Sequence, residues 1–222
     1  MTRSSSLTKV SSLIAKINQE KENTVRQRLK EWYLEAEAKS GKKRAEIVVI
    51  DCFADLLKWI IDLWPSECKQ LALALDATTL KQNFTVLSIH VLYRGCGIPI
   101  AWKVVKATQK GSWRPHWQQL FQSLVDVVPT QMEVIVFADR GLYADWLYKL
   151  IRELHWHPFL RINHQGQFRC ESEFVWKSLA SILPHPGTSF SAKITCFKTN
   201  PIECTLSARW DHGYQDPRFT HY

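Results

Sequence analysis

Leu71-Ala-Leu-Ala-Leu-Asp76 and Val134-Ile-Val-Phe-Ala-Asp139 are two short apolar runs, each followed by a carboxylate. Runs this apolar predict strands buried on both faces, each closed by its aspartate. A carboxylate at the tip of such a strand emerges at the edge of a sheet. One aspartate there has an ordinary reading, because its side chain caps the turn that follows. Two on neighbouring strands are different: carboxylates held close together repel unless a cation or a shared proton lies between them. Asp76 and Asp139 are therefore candidate ligands for one or two divalent metal ions. They are also candidate catalytic residues for phosphodiester chemistry, in which metals stabilise the attacking and the leaving oxygen. Magnesium or manganese suits an all-oxygen site that keeps waters for chemistry.

Working outward from these runs, the spacing predicts three strands, then helix, strand, helix, strand. After 71–76, a polar turn over 78–83 leads to a strand over 86–93. The turn Arg94-Gly-Cys-Gly97 feeds a third strand over 98–105, a hairpin signal. Trp117, Leu120, Phe121 and Leu124 recur at helical spacing, and Leu147, Leu150, Ile151 and Leu154 do so after Asp139. A last strand covers 158–162. This is the order of an RNase H-like mixed α/β sheet flanked by helices, in which the first and fourth strands lie parallel at the centre. Asp76 and Asp139 would then sit side by side at carboxyl ends of strands, where open α/β sheets gather their ligands.

The flanks read differently. Residues 7–40 predict helix, from Leu7, Val10, Leu13, Ile14 and Ile17 and then Val25, Leu29, Trp32, Tyr33 and Ala36, closed by a Gly41 cap and a basic linker. A second apolar helix is expected over 47–64, stopped by Pro65. This N-terminal helical segment, 1–66, is a packing layer or a DNA-end-binding module; Arg26, Arg28, Lys30, Lys42, Lys43 and Arg44 favour the second. The partial catalytic core spans 67–163. Short polar-apolar alternations over 164–222 predict an added β-rich insertion.

Composition agrees with a packed globule: 222 residues, 45% hydrophobic, with ten tryptophans and ten phenylalanines. A formal charge of +8 favours an anionic partner such as double-stranded DNA, held over an acidic pocket. Lys103, Lys106, Lys110 and Arg114 are candidate phosphate contacts, with a solvated loop as the plain alternative. Arg114 with Trp113 could stack on a base. The six cysteines form no C-x-x-C pair and four lie in apolar stretches, so buried free thiols are expected and zinc is not. His90 reads as a satisfied core histidine. No apolar leader follows Met1 and no stretch reaches the length of a membrane span, which points to a cytoplasmic protein without a membrane partner. No Ser-His-Asp order, P-loop or G-x-G-x-x-G stands in a suitable context.

Five segments in order carry a more specific signal: Ala74-Leu-Asp-Ala-Thr-Thr79, Tyr93-Arg-Gly-Cys-Gly-Ile-Pro-Ile-Ala-Trp-Lys103, Gly111-Ser-Trp-Arg-Pro-His-Trp117, Phe137-Ala-Asp-Arg-Gly-Leu-Tyr143 and His157-Pro-Phe-Leu-Arg-Ile162. Over about residues 45 to 217 the chain resembles the DDE-type transposases of bacterial insertion sequences, in the group with a Tyr-Arg-Glu-Lys signature. The resemblance implies an RNase H-like catalytic domain, DNA transposition by metal-dependent cleavage and strand transfer at transposon ends, and magnesium. It matches Asp76 and Asp139 to the first two metal-binding acids, and Arg140 with Gly141 to the Asp-Arg-Gly turn, which makes Arg140 a further DNA contact.

The resemblance ends before the third acid. Ser207-Ala-Arg-Trp-Asp-His-Gly-Tyr-Gln-Asp-Pro217 still follows the pattern, and Arg218-Phe-Thr-His-Tyr222 leaves it. Among Asp145, Glu153, Glu171, Glu173, Glu203, Asp211 and Asp216, none stands in a Tyr-x-x-Arg-x-x-x-Glu helix. The sequence thus reads as a C-terminally truncated, catalytically incomplete transposase. Two alternatives stay open: a non-catalytic DNA-binding or inhibitory fragment that pairs with full-length copies or with itself, and an RNase H-like nuclease that recruits its last carboxylate from elsewhere.

Overall fold

The computed structural model describes residues 6–40, 44–65, 67–108, 113–171 and 173–222. It falls into two compact units, 1–49 and 50–222. In the first, α1 (Leu7–Asn18) and α2 (Glu22–Glu31) replace the single long helix expected over 7–40. Gln19 adopts the left-handed conformation at φ 56° and ends α1: its own amide still bonds the Ala15 carbonyl, and the next amide, that of Glu20, turns back to the same carbonyl at 2.9 Å rather than extending the ladder. The expected Gly41 cap and the basic residues Lys42 and Lys43 lie outside the described residues.

The second unit begins with α3 (Asp51–Asp62), whose buried Phe53, Leu57 and Ile60 join the core of the sheet. The boundary drawn from sequence at 66/67 thus separates a helix from the sheet with which it shares a core. The sheet strands follow: β1 (Gln70–Leu80), β2 (Phe84–Tyr93), β3 (Cys96–Lys106), β4 (Glu133–Ala138), β5 (His157–Ile162), β6 (Gln167–Cys170), β7 (Lys177–Ser178), β8 (Ser189–Cys196), β9 (Ile202–Arg209) and β10 (Arg218–His221). Helix α4 (Arg114–Val125) joins β3 to β4, and α5 (Asp145–Glu153) joins β4 to β5.

Among the described residues these strands form one ten-stranded sheet in the order β3-β2-β1-β4-β5-β10-β9-β8-β6-β7. Its first half is the RNase H-like arrangement: β1, β2 and β3 form an antiparallel meander, and β1, β4 and β5 run parallel. Arg94 and Gly95, at φ 48° and 79°, form a two-residue hairpin turn that brings Tyr93 opposite Cys96.

Burial on the central strands has a period of two. Leu71, Leu73 and Leu75, Val134, Val136 and Ala138, and Leu160 and Ile162 are buried with Leu120, Phe121, Leu124, Leu147 and Ile151 of the helices. Ala72, Ala74, Ile135, Phe137 and Phe159, on the opposite face, are half-buried. The expectation of strands buried on both faces is therefore corrected to one buried face; small Ala72 and Ala74 made β1 look uniformly apolar. A second correction concerns its length. Asp76 does not close β1, which runs on to Leu80, because Thr78 and Thr79 pair with Val86 and Thr85 and extend the hairpin beyond the parallel core.

The C-terminal residues do more than add an insertion. Arg218-Phe-Thr-His221 forms β10, inserted between β5 and β9, with Phe219 opposite Ile162 on one side and Ala208 on the other. Phe219 and His221 alternate inward and are buried. This strand joins the β-rich half to the RNase H-like half by backbone hydrogen bonds. Of the six cysteines only Cys196 and Cys204 are buried; Cys52, Cys68 and Cys96 are exposed and Cys170 is half-buried, which corrects the expectation of four buried thiols. His90 is hydrogen-bonded, its Nε2 2.8 Å from Ser88 Oγ, but it is half-buried and outside the core, which corrects the expectation of a core histidine. No helix among the described residues is long and apolar enough to cross a membrane.

Candidate functional site

The parallel register of β1 and β4 pairs Leu75 with Ala138 and stops there. Asp76 and Asp139 are the next residues on each strand. Side chains alternate across a strand, so both aspartates fall on the half-buried face, opposite the one packed by Leu75 and Ala138. Both are exposed. Asp76 also faces Ser88 across β2 and accepts a hydrogen bond from the Thr78 hydroxyl, two residues further along the same side of the strand.

Asp139 has a cationic partner. Arg161 Nη1 donates to its Oδ1 at 2.9 Å, with the two side chains 45% and 66% exposed. An ion pair this open to water contributes less than about 1 kcal/mol, so an incoming phosphate or cation can displace either partner. Beside them lies a cavity of about 400 Å³ with Ala74, Phe137 and Phe159 among its apolar lining and Asp139, Arg161 and Arg218 as its charged groups. Phe137 and Phe159 pack against each other at 5.1 Å, and Phe159 stacks on Tyr222 at 5.5 Å. The arrangement is a shallow apolar floor with one carboxylate and two guanidinium groups, suited to a phosphate-bearing ligand.

The other expected DNA contacts scatter. Arg140 is exposed in the turn after Asp139, where the Leu142 amide donates to the Asp139 carbonyl at 2.9 Å. Lys103 is opposite Leu87, in register with Ala77, and so belongs to the face away from Asp76. Lys106, opposite Phe84, shares the face of Asp76 but lies four residues beyond Trp102, the β3 position level with it, about 13 Å along the strand. Arg114 places its guanidinium over the Trp146 ring at 5.8 Å. Lys110 lies outside the described residues. Sequence reasoning missed Arg161 and Arg218. Arg161 carried a usable signal, since period two along 158–162 puts it on the same side as Phe159. Arg218 carried none, because β10 has no apolar run to mark it.

The donor set suits a hard divalent cation in kind, two carboxylates on one exposed face, and falls short in number. Among the described residues no group of three or more His, Cys, Asp or Glu side chains is placed to hold a metal ion.

No known protein-family profile matches the sequence, and no curated protein matches it. Similar solved structures include a piggyBac transposase synaptic complex with hairpin DNA and the Mos1 strand transfer complex. The first is 11% identical with a TM-score of 0.38, covering 69% of this chain and 33% of that one. The second is 12% identical with a TM-score of 0.27, covering 67% of this chain and 52% of that one. The chain thus spans a third to about half the length of these two proteins. What defines the fold is the strand order and register given above.

Proposed function

We propose that the chain carries the RNase H-like part of a DDE-type transposase of the bacterial insertion-sequence kind, with Asp76 and Asp139 as its first two metal-binding carboxylates. The observation behind this reading is the β1–β4 register, which ends at Leu75 and Ala138, so that by alternation Asp76 and Asp139 follow it on one face. Further support comes from the formal charge of +8 and from Arg161 and Arg218 beside Asp139. Magnesium or manganese would be held by the two carboxylates with water filling the remaining positions. Such an ion, when bound, lowers the pKa of an attacking water or 3′-hydroxyl and offsets charge at phosphorus. The chain's own groups then have defined tasks. Thr78 holds the Asp76 carboxylate, Arg161 exchanges Asp139 for a DNA phosphate, and Arg218 and Arg140 take neighbouring phosphates.

The experiment is a Mn2+ titration followed by electron paramagnetic resonance, paired with double-stranded DNA binding by fluorescence anisotropy. Asp76→Asn and Asp139→Asn should each weaken Mn2+ binding by about tenfold or more, the loss of one carboxylate ligand. DNA affinity should fall with salt at a log–log slope of about −0.9 per phosphate contacted. Mn2+ binding equal to wild type in both variants sinks the site.

A second reading, a DNA-binding or inhibitory fragment that does not cut, is favoured by Arg161, which already neutralises Asp139. Salt-dependent DNA binding without Mg2+-dependent strand cleavage selects it. Cleavage that Asp76→Asn abolishes selects the first reading.

A further inference from the structure

Strands β8 and β9 bring two thiols together in the interior. Cys196 is fully buried and Cys204 is 8% exposed. The antiparallel register sets Cys196 opposite Ile202 and Cys204 opposite Ile194, so the cysteines are diagonal neighbours on one face, within hydrogen-bonding reach. A third polar group completes the cluster. His221 on β10 is wholly buried, and among the described residues neither ring nitrogen has a well-formed hydrogen-bond partner. Tyr143, Tyr148 and Phe197 surround its ring at centroid distances of 4.8 to 5.9 Å, and its imidazole interacts with the Cys204 thiol. Buried polar atoms left without partners recur at redox and catalytic positions, where packing alone would have selected an apolar side chain.

We propose that Cys204 and Cys196 form a peroxide-reactive thiol pair, with Cys204 as the nucleophile, His221 as the group that positions and polarises it, and Cys196 as the resolving thiol. The order follows from the surroundings. The hydrogen bond from Cys196, with the imidazole of His221 beside it, lowers the pKa of Cys204, whereas Cys196 is held up by the same contact and by burial. Cys204 also lines a cavity of about 290 Å³ whose charged groups are Arg152, Lys193, Glu171 and Glu203, which gives a small oxidant a way in.

The chemistry balances with hydrogen peroxide as oxidant. The Cys204 thiolate attacks one peroxide oxygen, the O–O bond breaks, and its electron pair leaves as hydroxide, which is protonated to water. Cys204 is then a sulfenic acid. The Cys196 sulfur attacks the Cys204 sulfur, the S–O bond breaks, and the thiol proton leaves with the hydroxide as a second water. Two electrons have passed from the thiols to one peroxide. Diagonal cross-strand positions are wider apart than most disulfides prefer, so closing the bond draws β8 and β9 together and leaves a readily reduced disulfide. This inference does not depend on the reading of Asp76 and Asp139.

The test uses the whole 222-residue chain, as wild type and with Cys52, Cys68, Cys96 and Cys170 replaced by serine. Each is treated with hydrogen peroxide near pH 7 and digested without reduction for mass spectrometry. The expected product is a peptide pair linking Cys196 to Cys204, released by dithiothreitol. Cys196→Ser should instead give a dimedone adduct at Cys204, and His221→Gln should slow oxidation of Cys204 by roughly tenfold. The proposal is overturned if the folded chain yields neither link nor adduct. It is equally overturned if Cys204 reacts no faster folded than in denaturant, or if Cys196 in a Cys204→Ser variant is oxidised as fast as Cys204 is in the Cys196→Ser variant.

Discussion

Arg161 and Asp139 compete with the ligands they are placed to bind. While the guanidinium sits on the carboxylate, a divalent cation must displace it. Arg161→Ala should therefore strengthen Mn2+ binding by up to about fivefold, the equivalent of an exposed ion pair, and weaken DNA binding. Isothermal titration with Mn2+ and anisotropy with DNA read the two effects separately, and a change of the same sign in both contradicts the arrangement. Tyr143 makes a second expectation. Burial raises its pKa above the usual tyrosine value, and its hydroxyl has no hydrogen-bond partner among the described residues. The folded state thus keeps a proton that the unfolded state gives up near pH 10. The stability linked to that proton is whole below pH 10 and drains away as the pH rises above it. Tyr143→Phe should flatten the alkaline fall in thermal midpoint and leave stability at pH 7 within about 1 kcal/mol of wild type or above it. An undiminished alkaline fall in the variant would show that other groups are responsible.

At the scale of elements, the hairpin between β2 and β3 rests on a turn in which Arg94 carries a positive φ. A side chain other than glycine or asparagine loses about 1 kcal/mol there. Arg94→Asn should recover about that much, raising the melting temperature by about 2–4 °C in circular dichroism; no rise would mean that the arginine side chain compensates locally. The turn was legible in the sequence because Arg94-Gly95 separates two apolar runs. So were α4 and α5, whose buried residues recur at helical spacing, and the two strands that carry the aspartates. What escaped had specific causes. Alternation on β1 was hidden because alanine is apolar whichever face it occupies. The end of β1 was misplaced because threonines that extend a hairpin resemble a polar turn. The break at Gln19 left no glycine or proline to mark it. Asp139 could be found as the carboxylate that follows its strand, and Asp76 as a carboxylate on β1 though not at its end, but Arg161, the partner of Asp139, needed the face assignment that alternation supplies.

For the whole molecule, β10 joins two halves of one sheet. On one side it pairs with β5 at Ile162, Arg161 and Leu160; on the other it pairs with β9. A chain ending at residue 217 would leave β5 and β9 with open edges and remove buried Phe219 and His221, side chains of the core. Loss of Phe219 alone should cost about 3–5 kcal/mol by the usual cost of emptying a core site. The 1–217 chain is therefore expected to aggregate during size-exclusion chromatography under conditions that keep the 222-residue chain in solution; a well-behaved, equally stable 1–217 chain would contradict this. The same placement sets a timetable for biosynthesis. The ribosome delivers β5 some 56 residues before β10 and β9 only nine residues before it, so a nascent chain carries an unfinished border at β5, and then a second at β9, until His221 leaves the exit tunnel. Stalled or prematurely released translation products would expose both borders at once, which makes them natural clients for chaperones and proteases.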